Sequence, residues 1–205
     1  MAIWNGGNLS VLDIHPKVKL LTGAGVPPTL ELDSSFAAFI FIGQHSMAGA
    51  KKGVLSHSNA PEGIQNILVN GRPTGEICAE VMLAGTFDIP VIMLSGDTAA
   101  CQELHELVRE ARCAEVKKGV SRTAALMLSH PSACALIREK ARDAMEHLSS
   151  IKPYVIAGPV EVKVEYTPVG TKTFPRQEGV EQLNDRTWVF RGNNIRDAWL
   201  KFSSF

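Results

Sequence analysis

The chain is short of several things, and each shortage closes off a class of protein. It carries no net charge, with 21 Lys and Arg against 21 Asp and Glu. No basic excess points to nucleic acid, and the pair Lys51, Lys52 reads as a solvated loop. Its four cysteines, Cys78, Cys101, Cys113 and Cys134, have no CxxC spacing. They read as reduced thiols of a cytoplasmic protein. No apolar run, such as residues 36–42, approaches the roughly 20 residues that span a bilayer. The opening residues 1–7 show no basic region leading into an apolar stretch, so no secretory signal is expected. GxSxG, HExxH and P-loop patterns are missing as well.

What is present is the composition of an ordinary globular protein. The chain has 205 residues, 45% hydrophobic and 20% charged, enough for one good core or a main domain with a small appendage. Residues 36–42 form an unbroken apolar run ending at Gly43, and residues 90–94 form another ending at Ser95-Gly96-Asp97. Runs without alternation predict strands buried on both faces. Between them, residues 75–84 predict a helix with Thr74 as N-cap and Gly85 as the residue just past its end. Asp97 or Thr98 caps a second expected helix, running to about Arg112 with Leu104, Leu107 and Val108 on one face. A weak strand signal follows at Glu115-Val116. Pro131 suits the first position of a third helix, continued by Ala141, Ala144, Met145 and Leu148 and ended by Pro153.

Strands alternating with helices predict the α/β class, a mostly parallel sheet with flanking helices over residues 1–153. After Pro153 the pattern changes. Residues 160–166 alternate apolar and charged, a strand with one wet face. A polar, turn-rich stretch (170–183), a strand (187–190) and a closing helix (194–202) complete a small C-terminal α+β segment, residues 154–205.

Three residues stand out as candidates for chemistry. His45 follows a predicted buried strand, and open α/β sheets bind ligands at the carboxyl ends of their strands. A loop histidine satisfied by hydrogen bonds is the plainer reading. His57, in Ser56-His57-Ser58, suits a ligand, a general acid or base, or a surface residue. Glu76 sits in the first turn of a predicted helix, where the helix dipole alone accounts for a carboxylate. Imidazole and carboxylate are zinc donors, so the three together suit a metal site. Glu80, one turn on, is a neighbour of Glu76 or is solvated. The Gly96 and Asp97 amides offer a weakly signalled anion site. His15, His105, His130 and His147 have no partners at metal spacing.

Taken jointly, Ile42-Gly43-Gln44-His45, Ser56-His57-Ser58, the run from Asn70 through Gly71-Arg72-Pro73-Thr74-Gly75 to Glu76, and the run from Ile89 to Asp97 resemble the DppA-type D-aminopeptidases, in order and spacing, from about Ile3 onward. Those are binuclear zinc metallopeptidases that form homo-oligomeric rings and release N-terminal D-amino acids from short peptides. The resemblance implies that His45 and Glu76 match zinc ligands. It implies that His57 matches an active-site histidine that is not a ligand. It also implies that the family's opening strand, with its Asp-x-Glu zinc ligands, and the helix after it precede the matched stretch. No histidine stands at residues 4–8, where the family has a further ligand. The expectation is therefore a shortened hydrolase of this type with weakened activity. Its alternatives are a non-catalytic oligomeric binding or scaffold relative, and an α/β binder of small anions.

Overall fold

The computed structural model describes residues 2–5, 13–22, 32–60 and 62–203. Two short strands, β1 (Ala2–Asn5) and β2 (Lys19–Thr22), pair in parallel. Then come β3 (Phe39–Gln44), β4 (Ile64–Val69) and β5 (Arg72–Pro73). The next elements are α1 (Glu76–Gly85), β6 (Val91–Asp97), α2 (Thr98–His105), β7 (Arg112–Ser121), β8 (Ala124–Met127) and α3 (His130–Glu146). The chain closes with β9 (Val160–Tyr166), β10 (Val180–Asn184), β11 (Thr187–Gly192) and α4 (Ile195–Ser203). One sheet has the order β3-β6-β7-β8, parallel in its first three strands and antiparallel at β8. The other, β10-β11-β9-β4-β5, is antiparallel throughout and takes strands from both sides of Pro153.

Helix α1 lies between the two sheets. Eight of its ten residues are buried, all but Glu76 and Glu80. Ile77, Val81 and Ala84, at helical spacing, join the core formed with Ile92, Met93 and Leu94 of β6. Cys78, Ala79, Met82 and Leu83 join a second core with Val160, Val162 and Val164 of β9 and Trp199 and Phe202 of α4. A helix apolar on almost every side must be covered on almost every side. Each fully buried large side chain contributes roughly 1.5–3 kcal/mol. The two residues of α1 that are only half-buried are the i, i+4 pair Glu76 and Glu80.

The α/β class with a mainly parallel, helix-flanked sheet is as expected, and β6 is buried at every residue. Strand β9 alternates buried and half-buried along its length, as its charge pattern predicts. Other expectations change. Strand β3 is not buried on both faces: it is the outer strand of its sheet among the described residues, and Ile42 is 66% exposed. The α1 N-cap is Gly75 rather than Thr74, whose hydroxyl donates back to the Arg72 carbonyl. Helix α2 stops at His105, seven residues short of Arg112, because Arg112 begins β7 beside β6. Leu107 and Val108 keep their place in the core from the turn that follows. Pro131 is the second residue of α3, and that helix ends at Glu146, before Pro153. Strands β4 and β5, a stretch to which the sequence assigns no element, form a hairpin around Asn70 and Gly71. Both turn residues have positive φ, as a two-residue Asn-Gly turn requires.

Gly85 is the last residue of α1 rather than the residue beyond it, and its need is for space. A Cβ there would lie 2.0 Å from the Tyr154 carbonyl oxygen. Helix propensity alone favours alanine over glycine by about 1 kcal/mol. Overpacking against backbone costs about 1–3 kcal/mol and should win. Gly85→Ala is therefore expected to lower the urea midpoint with unchanged slope. A raised midpoint would show that the 154 backbone yields freely.

Candidate metal centre

The site begins with a glycine. Gly43 has φ +73°, a conformation that side chains rarely adopt, and the pairing of β3 with β6 slips between Ile42 and Gln44. This bulge, anchored by the Gly43 N–H donating to Ser95 Oγ (2.9 Å), re-aims the chain as it leaves the sheet. His45 follows immediately, at the carboxyl end of a parallel strand. Residues 45–59 then fold as a loop above the sheet. The His57 N–H donates to the Ser46 carbonyl (3.3 Å), and the Ala48 N–H to Ser58 Oγ (3.2 Å). The Leu55 N–H donates to the Arg122 carbonyl (2.8 Å) at the β7–β8 turn.

This loop stacks the His57 ring on the His45 ring, with centroids 3.6 Å apart and planes 20° from parallel. His45 Nδ1 lies 3.0 Å from the Ser46 carbonyl and His57 Nδ1 lies 2.6 Å from the Leu55 carbonyl. A carbonyl only accepts, so both Nδ1 atoms carry the hydrogen in these bonds, and both Nε2 lone pairs remain available. His45 Nε2 faces Glu76 Oε1 at 3.6 Å. That oxygen also accepts the Asn59 N–H (2.7 Å), from a residue with φ +52°. The other oxygen, Glu76 Oε2, is buried with no hydrogen-bond partner.

The three predicted site residues are thus brought together. One donor atom each from His45, His57 and Glu76 lies within 4.8 Å of the others, and this is the one such cluster among the described residues. Two imidazoles and a carboxylate are a donor set that zinc accepts. The orphaned Oε2 and the two Nδ1–H···O=C bonds fit a metal ion, because a ligating histidine ordinarily donates its other ring nitrogen's hydrogen to a carbonyl or carboxylate.

Two further acids hold the site from beneath. Asp97 is buried. Its Oδ1 caps α2 by accepting the Ala100 N–H (2.8 Å), and its Oδ2 accepts the Val54 N–H within the loop. The carboxyl thus satisfies one N–H of the first turn of α2. Glu103 is also buried, and its Oε2 accepts the Met47 N–H (2.7 Å). Burial pushes Glu103 up to about 7; the Met47 N–H and, weakly, the Cys78 N–H oppose this, and Glu76 and Glu106 add to it. Glu103 escaped the sequence reading. Its signal was an acid at 103 on the apolar face formed by Ala100, Leu104 and Leu107.

Glu80 is half-buried with a densely surrounded carboxyl, not solvated. Burial and then the nearby Glu76 push it from the ordinary 4.5 up to about 8. All four cysteines are free thiols; Cys78 and Cys101 are buried, Cys113 and Cys134 partly so.

Between the ordinary carboxylate range and about 8, folded Glu80 holds a proton that the unfolded chain has released. Folding then takes up protons, so stability falls as pH rises through that window. Glu103 acts in the same direction up to about 7. In chelator-treated protein, the urea midpoint should fall between about pH 5 and about pH 8. Glu80→Gln should flatten that slope, and an unchanged slope would mean a solvated Glu80.

Comparison with known proteins agrees over nearly the whole chain. A family model described as D-aminopeptidase matches residues 4–203. The D-aminopeptidase of Bacillus subtilis (strain 168) is 33% identical over 196 residues, which cover 94% of this chain and 71% of that protein. The solved structure of the Zn-dependent D-aminopeptidase DppA from Bacillus subtilis, described as a self-compartmentalizing protease, superposes with a TM-score of 0.83. It is 28% identical, over 95% of this chain and 72% of that one. These relatives are peptidase hydrolases, and the chain belongs to the D-aminopeptidase family.

Proposed function

We propose that the chain is a zinc-dependent hydrolase of the aminopeptidase type that releases N-terminal D-amino acids from short peptides. The observation that carries this reading is the convergence of one donor atom each from His45, His57 and Glu76 within 4.8 Å, at the carboxyl end of a parallel sheet, with Glu76 Oε2 buried and unpartnered. In this reading His45 Nε2 and the Glu76 carboxylate hold the metal. Bound zinc supplies Lewis acidity and eases deprotonation of water near neutrality. His57 is the acid–base residue. Its Nδ1–H is held by the Leu55 carbonyl, so Nε2 is free to take a proton from the attacking water and return it to the leaving amine nitrogen. The stacked His45 ring and the loop bonds keep His57 from turning away.

A second arrangement is favoured by one observation, the closeness of all three donor atoms. There His57 would be a third ligand, giving the two-histidine, one-glutamate donor set that catalytic zinc uses. We also propose a cytoplasmic homo-oligomer. Among the described residues no helix is long and apolar enough to cross a membrane. Val120, Leu126, Met127 and Leu128 stand exposed on and beside β8, the outer strand of its sheet, an apolar edge that a neighbouring copy would cover.

Short peptides with an N-terminal D- or L-residue test the reading directly. The D-residue should be released, lost with a chelator and restored by zinc. His57→Ala should keep its zinc while the rate falls about 10²–10⁴-fold. Loss of zinc in that variant would favour the three-ligand arrangement. Zinc-loaded protein that releases nothing would leave a binding or scaffold relative.

A further inference from the structure

Helix α1 starts without a side-chain cap. Its N-cap is Gly75, and no side chain of its own accepts from the first turn. A larger residue does not fit there. A Cβ on Gly75 would lie 2.5 Å from Met47 Cβ, 3.0 Å from Met47 Cα and 3.1 Å from Glu103 Oε1. The segment that begins at His45 therefore crosses directly over the helix end that carries Glu76, and one buried carboxyl touches both. Glu103 Oε2 accepts the Met47 N–H at 2.7 Å, and Oε1 points at Gly75 with no hydrogen bond of its own. Met47 stands two residues after His45, and Gly75 one residue before Glu76. The same segment governs His57, whose N–H donates to the Ser46 carbonyl.

We infer that Glu103 is the positioning residue that sets the spacing of His45, His57 and Glu76, acting as an acceptor from α2 rather than as a metal ligand. This inference rests on the metal-centre reading above. It assigns to a residue outside the site the job that a capping side chain at position 75 has no room to do. The essential property is the acceptor oxygen facing Met47. Loss of that acceptor frees residues 45–47 to shift relative to α1, and the metal donors then no longer meet at one point.

Cobalt(II), followed by its visible absorption in the full-length chain, tests this. Outer hydrogen bonds of metal sites are worth about 10–100-fold in affinity, so Glu103→Leu should bind cobalt at least about tenfold more weakly. Glu103→Gln keeps an oxygen for the Met47 N–H and should stay within about threefold of the parent. Leucine binding like the parent, or glutamine falling as far as leucine, would overturn the inference. If Glu103→Leu does not fold, Glu103→Asp carries the test. Its carboxyl is one carbon short of Met47 and should lose affinity as leucine would, and unchanged affinity would overturn the inference. A parent protein that takes up no cobalt is a distinct outcome, which removes the metal-centre reading and this inference with it.

Discussion

The burial of α1 between two sheets is the constraint on which the rest of the structure depends. One stripe of the helix completes the core of the parallel sheet, and the other completes the core of the antiparallel sheet. Among the described residues no other helix faces both cores. The helix has almost no freedom to slide or turn, because each of its apolar side chains would lose contacts on one side or the other. Its N-terminus is consequently a fixed point, and Glu76 is the first residue there. Packing in two cores thus specifies the position of one carboxylate.

The histidines have no such support from regular structure. They sit on a loop, and a loop needs its backbone groups paired if it is to hold a geometry. The pairing comes from residues of the sheet and of α2. Ser95 takes the Gly43 N–H, Asp97 takes that of Val54, Glu103 takes that of Met47, and Glu76 itself takes that of Asn59. Burying carboxyls is costly unless they are hydrogen-bonded, and here the bonds are made to the loop. The raised Glu103 shows that burial is only partly offset. These bonds hold the loop on which the two imidazoles stack beside one carboxylate.

Most of the frame could be read from residues because it depends on local pattern. The unbroken apolar run of β6, the alternation of β9 and the capping Asp97 all speak for themselves. The exposed face of β3 could not be read, because Phe39-Ile40-Phe41-Ile42 is as apolar as a central strand and only its neighbours decide its burial. Strand β4 was hidden for a similar reason. Its partner β9 lies far along the chain, with Ile67 in register with Val164. Asn70-Gly71 is a hairpin signal that the reading passed over. At the site, His45, His57 and Glu76 were visible as residue types on small-residue loops. The carbonyls beside their Nδ1 atoms are local, from Ser46 and Leu55, but depend on a loop conformation that spacing does not encode, and the Glu103 bond to Met47 spans 56 residues.

The central claim is that Glu76 and the two stacked histidines are a metal centre. Zinc content by elemental analysis, on protein purified without chelators, tests it most directly when the parent is compared with Glu76→Gln. The account predicts about one zinc or more per parent chain, consistent with a resident catalytic ion, and little in the variant. Equal zinc in both, or none in the parent even after zinc is added, would contradict it.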